Sequence, residues 1–139
     1  MITLQMANQH LNFPSRSENI SLVEKLIDDV CLQYKVNEDF YGNILVAVTE
    51  AVNNALYHGN RLNPDKSVDI RFEPQNDTTL IFKVSDQGEG FNIDTLPDPT
   101  SPENLEKISG RGVFLMKSLS DKIDFGDEGR TVEMTFKLN

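Results

Sequence analysis

Cysteine is almost absent from this 139-residue chain: Cys31 stands alone. No disulfide can form within the chain, and a stapled secreted fold is excluded. Histidine is nearly as scarce, with only His10 and His58, and two histidines with one cysteine leave too few ligands for a closed zinc site. Long apolar runs are missing as well. The longest strictly apolar stretch runs from Ile44 to Val48, far too short to span a bilayer. The opening residues Met1 to Met6 have neither a basic start nor an extended apolar segment, so they do not read as a targeting signal. Positive charge is in deficit, 13 Lys+Arg against 22 Asp+Glu, for a net charge of −9. That sign is wrong for replacing counterions on nucleic acid or for meeting an anionic membrane surface. The expectation is a soluble, cytoplasmic protein with neither nucleic acid nor membrane as a direct partner.

What is present suits one globular domain over residues 1–139, long enough to bury a core and too short for two. A strand is expected at roughly 2–13, broken by Pro14-Ser15-Arg16-Ser17. Ile20, Val23, Leu26, Ile27, Val30, Cys31 and Tyr34 then recur at helical spacing. Asn37 is placed to cap a second helix carrying Phe40, Ile44, Ala47, Val48, Ala51, Val52 and Ala55. That helix is expected to stop near His58-Gly59-Asn60, with Gly59 supplying a left-handed terminus. Two stretches of strand period follow, Val68 to Phe72 and Leu80 to Val84, around a turn at Gln75-Asn76-Asp77. Periodicity fails from Asp86 to Ser109, apart from a possible helical turn at Pro102 to Lys107. Loops of that length in a compact domain are usually lids or binding loops. A third helix opens at Gly110-Arg111-Gly112, and strands at Lys122 to Phe125 and Thr131 to Leu138 close the chain. The order β-α-α-β-β-loop-α-β-β implies an α+β two-layer sandwich, with a mixed, mostly antiparallel sheet and helices on one face.

Three clusters do not fit a purely structural role. The second helix is apolar nearly all round, yet Glu50 and Asn54 lie one turn apart on one face. Such a pair ordinarily caps or braces a neighbouring loop. On so apolar a helix, a carboxylate beside an amide also suits a magnesium–phosphate site, where one or two protein oxygens suffice. The second cluster is Asp86-Gln87-Gly88-Glu89-Gly90, an acid at a strand end followed by alternate glycines. The third, Gly110-Arg111-Gly112 at a helix start, offers free N–H groups to anionic oxygens, or else merely admits a sharp turn. No P-loop is present, because Met116 stands where its last glycine would fall before Lys117-Ser118, and Ile93 occupies the third glycine position of a dinucleotide fingerprint.

Together the clusters resemble the N, G1 and G2 boxes of the ATP-binding fold shared by histidine kinases, gyrase and mismatch-repair ATPases. The matches are Glu50-Ala51-Val52-Asn53-Asn54-Ala55 followed by Tyr57-His58-Gly59, then Asp86-Gln87-Gly88-Glu89-Gly90, then Gly110-Arg111-Gly112-Val113. At this size the chain most resembles the stand-alone anti-sigma serine kinases of bacterial partner-switching systems. Phe13 to Asn19 resembles the segment that leads into their first helix. The resemblance implies ATP and Mg²⁺ as cofactors. Asn54 would bind the metal, and Glu50 would be the general base. Asp86 would accept from the adenine amino group, with Gly88 and Gly90 admitting the base. Gly110, Arg111, Gly112 and Val113 would line the phosphates under a lid from about Ile93 to Ser109, with His58 near the site and Thr131 near the adenine.

The implied substrate is a STAS-domain antagonist protein, with a sigma factor as a possible second partner, a role in transcription regulation, and a possible homodimer. Two other readings stand beside it: a nucleotide-gated module that sequesters a partner without phosphotransfer, and a switch kinase with no sigma factor. Arg130 stands where relatives usually have a second small or hydroxyl residue, which bears on the hairpin's contact with the base. Glu24 stands where some carry an arginine used in partner contact.

Overall fold

Asn37 has extended backbone angles, and its side chain accepts a hydrogen bond from Phe40 N at 2.9 Å. That satisfies one of the orphan donors at a helix start, and α2 follows as Glu38–Asn53. The computed structural model describes residues 8–90 and 110–138. Within them β1 is Gln9–Pro14, α1 is Ile20–Gln33 after a 3₁₀ turn at Ser17–Asn19, β2 is Ser67–Asn76 and β3 is Thr79–Ser85. After the undescribed stretch come α3 at Gly110–Leu119, β4 at Lys122–Gly126 and β5 at Thr131–Lys137. The expected lid, the helical turn at 102–107 and the first residues of the opening strand lie outside the described residues.

The strands form one sheet in the order β1-β2-β3-β5-β4, and every pairing among the described strands is antiparallel. Alternation along the strands sends Val68, Ile70, Phe72, Leu80, Phe82, Val84, Val132, Met134 and Phe136 to one face, all buried. The stripes of α1 and α2 pack on that face, bringing Val23, Ile27, Val30, Ile44, Val48 and Val52 into the same core. Tyr34, Phe72, Phe82 and Phe136 run across it as edge-to-face and tilted ring pairs, with centroids 5.8, 5.0 and 6.0 Å apart. The expected two-layer α+β sandwich with helices on one face is the observed one. Cys31 is buried in this core, which pushes its thiol up to about 11 and keeps it unreactive. Among the described residues, no helix is long and apolar enough to cross a membrane.

The end of α2 departs from expectation. The chain does not turn left-handed at Gly59; it widens into a π-helical turn over Asn54–Gly59. Asn60 N bonds back to Ala55 O at 2.8 Å, and the positive φ values fall instead on Arg61 and Leu62, at 52° and 55°. Single π turns of this kind are frequent at functional sites. The glycine is needed at 59 because a neighbour presses on it, as described below.

Candidate functional site

The widened turn carries α2 under the end of β3. There the Asp86 carboxyl lies so close to Gly59 that an added Cβ would sit 2.5 Å from its Cγ. Gly88 is equally confined, since a Cβ there would fall 2.0 Å from Gly59 O. Both glycines exist so that the Asp86–Gly90 loop can lie directly on the π turn. Asp86 Oδ1 accepts from Gly88 N at 2.8 Å, and Asp86 N donates to Arg130 O at 2.9 Å. Burial pushes the Asp86 carboxyl above its usual 3.8, against the lowering effect of the Gly88 hydrogen bond and of Arg130. Gly90 has φ +81°, and a Cβ there would lie 2.3 Å from Glu128 O. The loop is thereby wedged between the π turn and the turn at Asp127–Gly129 that joins β4 to β5.

Asn60, invisible as a functional residue in the sequence, holds this arrangement. It is 2% exposed and fully engaged. Its Nδ2 donates to Ser15 Oγ at 2.8 Å and to Ser67 O at 2.9 Å, and its Oδ1 accepts from Gln87 N at 2.8 Å. Three segments distant in sequence meet on one amide. Asn60→Ala is expected to lower stability by about 2 kcal/mol or more, because several polar groups lose their partner at once. The midpoint of urea unfolding measures it.

On the other side, α3 packs along α2 with Gly112 against the polar pair. A Cβ at Gly112 would lie 3.1 Å from Glu50 Oε2, 3.1 Å from Asn54 Nδ2 and 3.5 Å from Asn54 Oδ1. Glu50 and Asn54 are both partly exposed rather than sealed in the core. A Cβ here would press on the ends of both side chains, so glycine lets the start of α3, whose first amides lack intrahelical partners and whose dipole end is positive, come this near the pair without displacing them. A cradle with a carboxylate, an amide oxygen and a helix start matches a hard cation with anionic oxygens. Among the described residues no three His, Cys, Asp or Glu side chains gather into a metal-holding group. The carboxylate and amide oxygens present are the one or two protein donors that suffice for an ion completed by phosphates and waters.

Between the two halves lies a cavity lined by both Asn54 and Asp86. Its walls are apolar, with Ala55, Val84, Met116 and Val132 among them, and His58 and Arg130 also face it. Partial burial lowers the His58 pKa from its usual value. Apolar walls with a few converging polar groups suit a flat heterocycle. The structure brings together Glu50, Asn54, His58, Asp86, Gly88, Gly90 and Gly112. Gly110 and Arg111 form the first turn of α3, and Val113 is buried in the core behind it. Thr131 belongs elsewhere: it does not line the cavity, and its hydroxyl pairs with Ser85 Oγ at 3.0 Å. Strand alternation is the reason, turning Arg130 and Val132 toward the cavity and Thr131 to the opposite face.

Residues 13–136 match the family described as histidine kinase-like ATPase domain. The serine-protein kinase RsbW of Bacillus licheniformis is 30% identical over 133 residues, covering 91% of this chain and 82% of that protein. The serine-protein kinase RsbW of Staphylococcus aureus strain JH9 is 29% identical over 133 residues, covering 90% and 83%. Among solved structures, the RsbU and RsbW domains of Rv1364c from Mycobacterium tuberculosis share the fold, with a TM-score of 0.65 at 17% identity. That match covers 96% of this chain and 33% of the larger one.

Proposed function

The chain belongs to the histidine kinase-like ATPase family and is a serine-protein kinase within it; on that premise we propose that it transfers the γ-phosphoryl group of Mg²⁺-ATP to a STAS-type antagonist protein and acts as an anti-sigma factor. The observation that carries this reading is the cradle at Gly112, which places the start of α3 against both Glu50 and Asn54. Adenine enters the apolar cavity and offers its amino group to Asp86, one of whose oxygens already accepts from Gly88 N. Guanine presents a carbonyl at that position and is refused. The phosphates run toward α3, where the backbone of Gly110, Arg111 and Gly112 receives them.

Asn54 would hold the magnesium ion, which when bound would neutralise charge developing on the phosphate oxygens. Glu50 takes the proton from the partner's serine or threonine hydroxyl. As it does so, the bond from that oxygen to the γ-phosphorus forms and the bond to the β-phosphate oxygen breaks, leaving ADP. Asn54→Ala is expected to keep the fold, since Ala is a good helix former, and to lose the magnesium-dependent part of ATP affinity. Calorimetric titration with magnesium and with chelator measures that part. Equal affinity in both conditions for the unaltered protein would overturn Asn54 as the ligand.

A further inference from the structure

The Arg130 side chain faces the cavity, yet the mechanism above leaves it without a task. Its side chain is only 25% exposed. Nε donates to Gly88 O at 2.7 Å and Nη2 to Glu89 O at 3.1 Å, so one edge of the guanidinium grips two successive carbonyls of the loop after Asp86. Nη1 donates to Asp127 O at 3.1 Å and reaches Asp127 Oδ1 and Glu128 Oε2, each at 3.4 Å. Those two carboxylates are 66% and 82% exposed, so the ion pairs add little. The weight lies in charged donors on backbone acceptors, in a planar fork that only arginine presents.

Both gripped segments need holding. Asp127, Glu128 and Gly129 have φ of 49°, 55° and 88°, three left-handed residues in succession, two of them not glycine. Such a turn persists only where its surroundings enforce it. Gly90 sits against Glu128 O, so the loop and the turn share a contact that either could open. Glu50 and Asn54 lie against Gly112, and neither is among the groups that Arg130 grips.

We propose that Arg130 is a positioning residue that clamps the Gly88–Gly90 loop to the Asp127–Gly129 turn, and that by closing this rim it sets how long a nucleotide stays bound. The role rests on the adenine-nucleotide reading of the cavity. It predicts an effect on release and not on transfer.

Arg130→Ala and Arg130→Lys, each in the full chain, test it by three readouts: stopped-flow release of a fluorescent ADP analogue, single-turnover transfer at saturating ATP, and hydrogen exchange of the nucleotide-free protein. Release from Arg130→Ala is expected to accelerate about tenfold or more, the loss anticipated for charge-assisted bonds. Transfer at saturation is expected to stay within about twofold. Exchange at Gly88, Glu89 and Gly90 rises without any nucleotide. Arg130→Lys recovers only part of each effect, since an ammonium lacks the fork. Should Arg130→Ala fail to fold, Arg130→Lys carries the same readouts. Complete recovery by lysine, unchanged release with unchanged exchange, or a fall in transfer with unchanged affinity would each overturn the clamp. A wild-type chain that binds no adenine nucleotide would remove the functional reading instead, and the exchange data would still judge the clamp.

Discussion

Glu50→Gln is expected to bind Mg²⁺-ATP as the wild type does and to lose phosphotransfer by roughly 10²–10⁴-fold, the contribution of a positioned base. The two side chains are nearly isosteric and equally at home in a helix. The contact with Gly112 therefore survives, and with it the close approach of α3. Only the capacity to take a proton is lost. Transfer depends also on positioning and magnesium, so residual activity above the uncatalysed rate is expected. Single-turnover transfer measured beside a binding titration separates the possibilities. Full transfer would remove Glu50 as the base, and weakened ATP binding with normal transfer of the bound complex would make it structural.

Asp86→Asn is expected to weaken ATP binding by roughly 10²-fold or more, because its amide can place a donor against the adenine amino group in a half-buried site. The same substitution is expected not to lower the melting temperature of the nucleotide-free protein. Burial raises the Asp86 pKa above 3.8, so the folded state holds this proton more tightly than the unfolded chain does. Its favourable contribution is complete below the unfolded value and is lost as pH rises through the folded one. At neutral pH the protein keeps an ionised, half-buried group at a cost that asparagine does not carry, while the amide oxygen can still accept from Gly88 N. Calorimetric titration and a thermal melt on one preparation test both halves. A variant that binds ATP normally, or one that melts well below the wild type, would contradict the assignment of Asp86 to the ligand.

The elements were legible in the sequence wherever one physical signal decided them. The helical spacing of Val23, Ile27 and Val30 gave α1, the Asn37 cap gave the start of α2, and alternation gave β2, β3 and β5 within a few residues. Clustering of Glu50 and Asn54 with the two glycine-rich loops followed from the motifs. Tertiary contact hid the rest. Gly59 after a helix reads as a left-handed stop, and nothing local reveals that the Asp86 carboxyl rests on it. Asn60 looks like turn punctuation, since two of its partners, Ser15 and Gln87, are far away in sequence and the third, Ser67, lies beyond the turn. The resemblance puts Thr131 near the adenine, whereas strand parity turns its neighbours Arg130 and Val132 toward the cavity. Arg130 stood out only as an odd residue in the motif; its five hydrogen bonds belong to loops that the sequence left unpaired.

Radiolabel transfer from γ-labelled ATP to a STAS-domain partner, run with magnesium and with chelator, tests the central claim most directly. The wild type is expected to label a single serine or threonine of the partner in magnesium, and none in chelator or with GTP. A partner retained in a stable nucleotide-dependent complex, with no label transferred under any of these conditions, would contradict the kinase reading and leave a sequestering module in its place.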